Sequence, residues 1–304
     1  MANEQHPKRE EAIIKLNKMM NYPGRFPLLV IGDPGTGKTH WIKEAINEAT
    51  EFKSKSFFVY GGLCDEQTLF WKDIFNKADN SYLIIEEIEK ITGRSQDVLF
   101  DALSTTNGKY GFGEKDKTIR LIFTSTFPIS KLRDDRRYLS AKFFDRISQF
   151  VVEFPGFDST QTFVYQDFKA TWDKMFEKND TYKGKCPKSD DLIAWLEGEA
   201  HKMHGNFRDL DKIVINWNLY QQEGKTDSEI LQIVKNEFRV LLHNPSQKVY
   251  EDNTFVFDED SNYGDMLNDF RAKLKKWAMA ANNNNLLSAA KMLKISHRTL
   301  ERWK

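Results

Sequence analysis

Short, continuously apolar runs alternate with helical patterns over the first half of the chain. Runs of this length without a polar break are typical of strands that are buried on both faces of a parallel sheet. They lie at residues 27–31, 57–60, 82–85, 119–123 and 150–154, and the last two each contain one charged residue, Arg120 and Glu153. Before the first run, residues 9–20 carry apolar side chains at helical spacing, and Pro23-Gly24 ends that pattern. The chain is therefore predicted to begin with an α/β domain, residues 1–157, in which crossover helices join the strands of a parallel sheet.

Strand patterns stop after this domain, and helical patterns take over at residues 189–203, 206–220 and 227–242. We expect an all-helical lid domain over residues 158–245. The stretch from Glu251 to Asp269 then holds seven acidic residues and no basic one, which is typical of a solvated linker and predicts one over residues 246–263. Residues 264–304 return to helical spacing and form the last predicted domain.

Charge changes this picture only locally. The chain has 304 residues with 45 basic and 45 acidic side chains, so no overall field draws it to nucleic acid or to a membrane surface. Residues 271–304, however, hold nine Lys or Arg and one acid, which gives nine minus one, a net charge of +8. A basic module of this kind predicts a contact with nucleic acid.

Cysteine content and apolar run length exclude several classes of protein. Two cysteines, Cys64 and Cys186, cannot build a disulfide framework or a four-cysteine metal site. No run approaches the roughly 18 apolar residues that a membrane-spanning helix needs. The first residues also lack the apolar core of a signal peptide. We therefore expect no membrane contact and a cytoplasmic location.

A phosphate-binding pattern follows the first apolar run and precedes a helical stretch. It reads Gly32-Asp33-Pro34-Gly35-Thr36-Gly37-Lys38-Thr39 and fits G-x-x-x-x-G-K-[ST]. The glycines let backbone N–H groups wrap phosphates at a helix N-terminus, Lys38 would bridge the β- and γ-phosphates, and the Thr39 hydroxyl would hold Mg²⁺. The pattern predicts ATP and Mg²⁺ as cofactors, against the alternative of a chance glycine-rich turn.

Two acids end the apolar run at residues 82–85. This arrangement brings one carboxylate to Mg²⁺ and a second to the attacking water. Glu86 would support the metal, and Glu87 would polarise the water. The alternative is the start of a surface helix rich in glutamate, because Glu89 follows.

With both motifs placed, the chain resembles an AAA+ ATPase, and in particular the sigma-54-dependent transcription activators. Residues 121–126 resemble the sensor I strand, with Thr126 as the candidate polar residue, although Phe127 stands where the family has asparagine. Residues 141–147 resemble the segment that carries an arginine finger, which makes Arg146 the candidate that acts on a neighbouring subunit. The resemblance implies a ring of subunits, a hexamer or similar assembly.

The helical region and the tail extend the resemblance. Gly205-Asn206-Phe207-Arg208-Asp209-Leu210 is similar to the G-N-x-R-E-L run of the lid, in which the arginine, here Arg208, is sensor II. For Arg146 and Arg208 alike, the alternative is a surface salt bridge. Residues 282–304 resemble the Fis-type helix-turn-helix of these activators, which implies double-stranded DNA as a partner.

The tail agrees physically with that resemblance. Ala290, Leu293, Ile295 and Leu300 can form a small core, and a cap at the start of the second helix would leave its polar side chains free for a DNA groove. The candidate DNA-binding residues are Ser296, which is also the cap, and His297, Arg298, Thr299, Arg302 and Lys304. The alternative is a basic surface helix that binds nothing.

Three features depart from the activator family, and Phe127 at the end of the sensor I strand is one of them. Residues 40–81 contain no G-A-F-T-G-A motif for the sigma factor, and Gly61 stands where the family has an asparagine that restrains the catalytic glutamate.

Residues 107–115 hold two aromatics and two lysines, and they are either a pore loop that grips protein or nucleic acid or a hairpin turn.

Three functions remain open on these grounds. The first is an ATP-hydrolysing transcription regulator that acts as a DNA-bound ring on an RNA polymerase sigma factor. The second is an ATP-regulated accessory protein for another DNA-acting enzyme, such as a mobile-element recombinase, a nuclease or a helicase. The third is a DNA-binding switch that binds ATP without hydrolysing it.

Overall fold

A computed structural model describes most of the chain, in two compact units, Met1–Asn244 and Pro245–Lys304. The described residues are 6–49, 51–103, 109–112, 117–177, 185–241, 271–272, 274–276, 278–279, 282 and 285–302. The predicted acidic linker, residues 246–263, and Lys304 lie outside them. No described helix is both long enough and apolar enough to cross a membrane.

A parallel sheet forms the centre of the first unit. Its strands are β1 (Leu28–Ile31), β2 (Ser56–Tyr60), β3 (Ser81–Glu86), β5 (Lys117–Ser125) and β6 (Phe150–Glu153), in the order β2-β3-β5-β1-β6. A two-residue strand, β4 (Lys109–Tyr110), pairs antiparallel with the start of β5. Since β1 lies between β5 and β6 and all four of its residues are buried, its carboxyl end is fixed at the middle of the sheet edge.

Helices cover both faces of the sheet, which confirms the predicted α/β arrangement. The helices α1 (Pro7–Met20) and α2 (Lys38–Glu48) pack with Leu28 and Val30 on one face. The other face carries α3 (Thr68–Lys77), α4 (Gly93–Ala102), α5 (Ile129–Asp134) and α6 (Ala141–Ile147), packed with Leu29 and Ile31. Side chains alternate across a strand, so β1 contributes to both cores and has no polar position.

The described residues from 164 to 241 are helical apart from the connections between helices. They form α7 (Val164–Trp172), α8 (Asp190–Glu199), α9 (Phe207–Gln222) and α10 (Asp227–Leu241). A separate core joins these helices, with Phe168, Leu196 and Trp217 among its fully buried residues. This helical region is therefore stabilised by its own apolar cluster.

Two short helices of the second unit lie wholly among its described residues, α11 (Leu286–Met292) and α12 (His297–Arg302). Ala289, Ala290 and Leu300 are buried between them, and Leu293 and Ile295 pack against that cluster. The side chain of Ser296 accepts a hydrogen bond from the Thr299 N–H group at 3.1 Å, as an N-cap does. The small core and the cap therefore form as the sequence predicts.

A buried ion pair joins the first helix to the helical region. Arg9 Nη1 lies 2.6 Å from Asp167 Oδ1, and Arg9 is 1% exposed. Burial raises the pKa of Asp167, and the Arg9 charge acts against that shift. Within the described part of the chain, Arg9 Nε, Arg9 Nη2 and Asp167 Oδ2 have no hydrogen-bond partner. The pair holds α1 against α7 at a high desolvation cost.

Substitution of one partner should destabilise the fold more than replacement of both. We expect Asp167→Ala to lower the free energy of unfolding by about 3–5 kcal/mol, because it leaves the Arg9 charge buried and unpaired. The double variant Arg9→Leu/Asp167→Leu should lose less, since it removes both charges. Urea unfolding followed by tryptophan fluorescence measures both. A double variant that is less stable than Asp167→Ala would contradict the desolvation argument.

Candidate active site

The phosphate loop connects β1 to α2 with a backbone that needs glycine. Gly35 has φ 77° and Gly37, the residue that caps α2, has φ 89°, values at which a side chain is strained. A Cβ atom on Gly35 would also lie 1.9 Å from the Gly205 carbonyl oxygen. The first backbone N–H groups of α2 have no partner within the helix, so this loop offers donors to an anion.

Lys38 begins α2 and turns its ammonium group back over the loop. Its Nζ donates to the carbonyl oxygens of Gly32 at 2.6 Å and Asp33 at 3.1 Å. Burial lowers the pKa of Lys38 to about 8, and among the carboxylates that oppose this shift Glu89 has the largest effect. The ammonium is thus largely desolvated, and loop carbonyls hold it where a phosphate would lie.

Thr39 and Glu86 meet where β1 and β3 end. The Thr39 hydroxyl donates to Glu86 Oε1 at 2.7 Å. The described residues contain no group of three or more His, Cys, Asp or Glu side chains that could hold a metal by themselves. One hydroxyl and one carboxylate nevertheless fit Mg²⁺, which keeps several waters and is bound by one or two carboxylates together with substrate phosphates.

Glu87 has a left-handed backbone, with φ 53°, and its side chain is held by two donors. Its Oε2 accepts from the Tyr60 hydroxyl at 2.9 Å and lies 2.5 Å from Lys90 Nζ. Burial raises the pKa of Glu87, but the hydrogen bonds from Lys90 and Tyr60 outweigh it and leave the pKa below its usual value. Glu87, the predicted water-polarising acid, is therefore ionised, and its carboxylate already has two hydrogen-bond partners.

Gly61 has no room for the asparagine that the family resemblance places there. A Cβ atom on Gly61 would lie 2.4 Å from the Glu87 carbonyl oxygen and 2.9 Å from that of Glu86. Tyr60, one residue earlier, contacts the Glu87 carboxylate instead. Sequence reasoning missed Tyr60 and Lys90, although a tyrosine at the end of β2 is in register with Glu86 of the neighbouring strand.

Thr126, the sensor I candidate, is hydrogen-bonded to Glu89, to which the sequence assigns no role in the site. Its N–H and hydroxyl groups both donate to Glu89 Oε1, at 3.1 and 2.8 Å. Glu89 is 8% exposed. Phe127, which replaces the family asparagine, packs edge-on against Tyr138 with ring centroids 4.7 Å apart. The Glu89 carboxylate thus links the residues that follow β3 to the residue that follows β5.

The start of α9 lies directly on the phosphate loop. The Phe207 N–H donates to the Gly35 carbonyl oxygen at 3.1 Å, and Asn206 Nδ2 donates to that of Pro34 at 3.0 Å. The charge of Arg208 lowers the pKa values of both Lys38 and Glu87. The structure therefore brings the sensor II candidate to the phosphate site.

Asn206 holds this contact in a strained conformation. It has φ 51° and ψ −124° and is 3% exposed. Its Oδ1 accepts from the Phe157 N–H at 2.6 Å, while Asp209 Oδ2 accepts from the Gly205 N–H at 2.8 Å. These hydrogen bonds hold the backbone around Asn206 in place, which allows its unfavourable conformation to persist.

Arg146 lies apart from these groups. Its guanidinium lies 5.5 Å from the centre of the Phe100 ring, and none of the hydrogen bonds or ion pairs given for the described residues joins it to the phosphate loop. None of these contacts therefore places Arg146 in the candidate site of its own chain. The predicted role of an arginine finger would require a neighbouring subunit.

The aromatics at residues 109–112 pack in or against the core, and β4 pairs antiparallel with β5, which favours the hairpin turn over the gripping loop for these described residues. Tyr110 is 3% exposed, and its hydroxyl donates to the Arg25 carbonyl oxygen at 2.5 Å. Burial raises the pKa of Tyr110 to about 12. The Phe112 ring lies 5.4 Å from that of Phe75. The neighbouring residues 104–108 and 113–116 lie outside the described part.

The DNA-binding candidates lie on α12 or at its start. His297, Arg298, Thr299 and Arg302 are all exposed. Ser296 is exposed as well and caps the helix. The arrangement presents a basic helix surface on a small apolar core.

Comparisons with known proteins find a family match for the first half of the chain and solved structures of similar fold over nearly all of it. Residues 11–157 match the family model of the sigma-54 interaction domain, and no curated protein matches the chain. NtrX from Brucella abortus in complex with ATP is 14% identical with a TM-score of 0.61, over 98% of this chain and 67% of that one. The RuvB Holliday junction branch migration motor of Thermotoga maritima is 16% identical with a TM-score of 0.56, over 98% and 84%. The chain has the AAA+ P-loop type of fold.

The lack of space at Gly61 can be tested with a matched pair of glycines. We expect Gly61→Ala to lower the free energy of unfolding by about 1–3 kcal/mol, because the new methyl group overlaps backbone oxygens. Gly93, in the first turn of α4, has open space around a Cβ atom, so Gly93→Ala should be neutral or stabilise by up to about 1 kcal/mol. Urea unfolding compares the two. Equal stability of both variants would contradict the contact at Gly61.

Proposed function

We propose that the chain is an ATP-binding and ATP-hydrolysing AAA+ regulator that binds double-stranded DNA and acts as an oligomeric ring, similar to sigma-54-dependent activators. The observation that carries the proposal is the convergence of Lys38, the Thr39–Glu86 pair and Arg208 around one phosphate loop at the end of β1. The family match over residues 11–157 supports it.

Nucleotide binding would use groups that now bind each other. The N–H groups at the start of α2 would surround the phosphates, and Lys38 would leave the Gly32 and Asp33 carbonyl oxygens for phosphate oxygens. Thr39 and Glu86 would hold Mg²⁺, which neutralises charge on the phosphates when bound. Arg208 would bring the helical region onto the γ-phosphate as sensor II.

Hydrolysis would use acids on this chain and an arginine from a neighbour. In this proposal Glu87 polarises the attacking water after its carboxylate leaves Tyr60 and Lys90. Arg146 of one subunit stabilises transition-state charge in the site of the next, as arginine fingers do. The subunits therefore hydrolyse ATP only as an assembly.

The main alternative concerns the partner on which the ring would act. The G-A-F-T-G-A motif is missing from residues 40–81, which favours a partner other than sigma-54. An accessory ATPase of a recombinase, nuclease or helicase is the second candidate, because the fold is also like that of a branch migration motor. Binding of purified sigma-54 in the presence of a transition-state nucleotide analogue separates these two functions.

A test of the ATPase assembly uses two variants that fail for different reasons. Specific activity should rise with protein concentration because each site needs a neighbour. Lys38→Ala should lose nucleotide binding, whereas Arg146→Ala should keep it and lose at least about 100-fold in turnover. A mixture of the two should recover part of the activity, since Lys38→Ala subunits still offer Arg146 to intact sites. A steady-state phosphate-release assay compares the activity of the unsubstituted chain, the two variants and their mixture.

Substitution of a second arginine, on the surface, serves as the control for Arg146→Ala. Arg133 pairs with Asp134 on the surface, so Arg133→Ala should leave turnover unchanged. Nucleotide binding without turnover at any concentration would contradict the motor and favour an ATP-gated DNA-binding switch. Turnover that is independent of concentration and of Arg146 would contradict the ring.

DNA binding through α12 gives a separate prediction. Arg298→Ala or Arg302→Ala should weaken binding by about 1–3 kcal/mol if the side chain contacts a base. Lys291→Ala removes the same charge from α11 and should cost less. Fluorescence anisotropy at one salt concentration, on a duplex selected from a random-sequence pool, compares the three variants. Undiminished binding in both arginine variants would contradict the role of α12.

A further inference from the structure

Three acids follow the apolar core of β3, and each has a different partner. Glu86 accepts from Thr39, Glu87 from Tyr60 and Lys90, and Glu89 from Thr126. The first two arrangements match the proposed metal and water roles. The third belongs to no role assigned so far.

Glu89 is the most deeply buried of these acids and uses only one of its oxygens. Its Oε1 accepts from both donors of Thr126, whereas its Oε2 is buried without a hydrogen-bond partner among the described residues. A buried carboxylate oxygen without a donor is costly. A donor that arrives with the ligand, such as a water molecule, would remove that cost.

The position of Glu89 relates it to the phosphates. Ser125, the last residue of β5, is in register with Ile31, the last residue of β1, so Thr126, which donates to Glu89 Oε1, lies beside the start of the phosphate loop. The Glu87 carboxylate, by contrast, is paired with Lys90 and Tyr60. Of the two carboxylates, that of Glu89 is bonded to the residue beside the phosphate loop.

We propose that Glu89 is a further catalytic residue of the hydrolysis site, whose Oε2 accepts a hydrogen bond from the water that attacks the γ-phosphate while Oε1 holds Thr126. The inference rests on the proposed ATPase function. The water oxygen forms a bond to the γ-phosphorus, and the bond to the β–γ bridging oxygen breaks with its electron pair on ADP. The proton of the water passes to Glu89 and then to the released phosphate.

Glu89→Gln separates the two oxygens of this side chain. The amide oxygen can still accept from Thr126, so the structural contact is kept, while an NH₂ group replaces the free acceptor. We expect the single-turnover rate to fall at least about 100-fold. ATP affinity relative to ADP should stay the same or rise up to about tenfold, because a charge that repels the γ-phosphate is removed. Glu44→Gln, exposed on α2, is the matched control.

The outcomes separate this inference from the function on which it rests. Turnover by Glu89→Gln equal to that of the unsubstituted chain would overturn the role of Glu89 and leave the ATPase intact. A parallel loss of ATP affinity, ADP affinity and thermal stability would mean a structural role and would also overturn it. Absence of turnover by the unsubstituted chain would overturn both proposals.

A second variant covers a failure of Glu89→Gln to fold. Glu89→Asp keeps the charge but withdraws the carboxylate by one methylene, so its single-turnover rate should fall at least about tenfold at unchanged ATP affinity. Wild-type turnover in this variant would overturn the inference.

Discussion

Burial of β1 between β5 and β6 is the constraint on which the rest of the structure depends. All four residues of β1 are buried, and the chain that leaves it must turn through Gly35 and Gly37, both at positive φ, before α2 begins. Because the strands are parallel, β3 and β5 end at the same edge. The hydroxyl, ammonium and carboxylate groups of the candidate site therefore converge without a long loop to position them.

Charge balance among neighbouring groups is the second property of this edge. Lys38 rests on loop carbonyls, Glu86 on Thr39, Glu87 on Lys90 and Glu89 on Thr126. Each group is satisfied at least in part by a neighbour, so a phosphate must compete with existing contacts. Binding energy that breaks these contacts is available to reorganise the site.

Apolar runs predicted the five parallel strands to within about two residues at either end, because strands in the middle of a parallel sheet are mostly apolar, with Arg120 in β5 and Glu153 in β6 as charged exceptions. The pairing of Thr39 with Glu86 also agrees with the motifs. Glu89 and Tyr60 escaped prediction because their partners lie 37 and 27 residues away. Arg9 was missed for the same reason, since only the distant Asp167 explains a buried arginine.

The contact between Gly35 and Gly205 has a consequence for motion. Backbone meets backbone there, since a Cβ atom on Gly35 would overlap the Gly205 oxygen. Freezing a side chain on closure costs up to about 2 kcal/mol for the longest residues and nothing for glycine. Any movement of the helical region on the phosphate loop therefore costs almost no rotamer entropy at these two glycines, and the cost falls on Asn206, whose side chain donates to the Pro34 carbonyl oxygen.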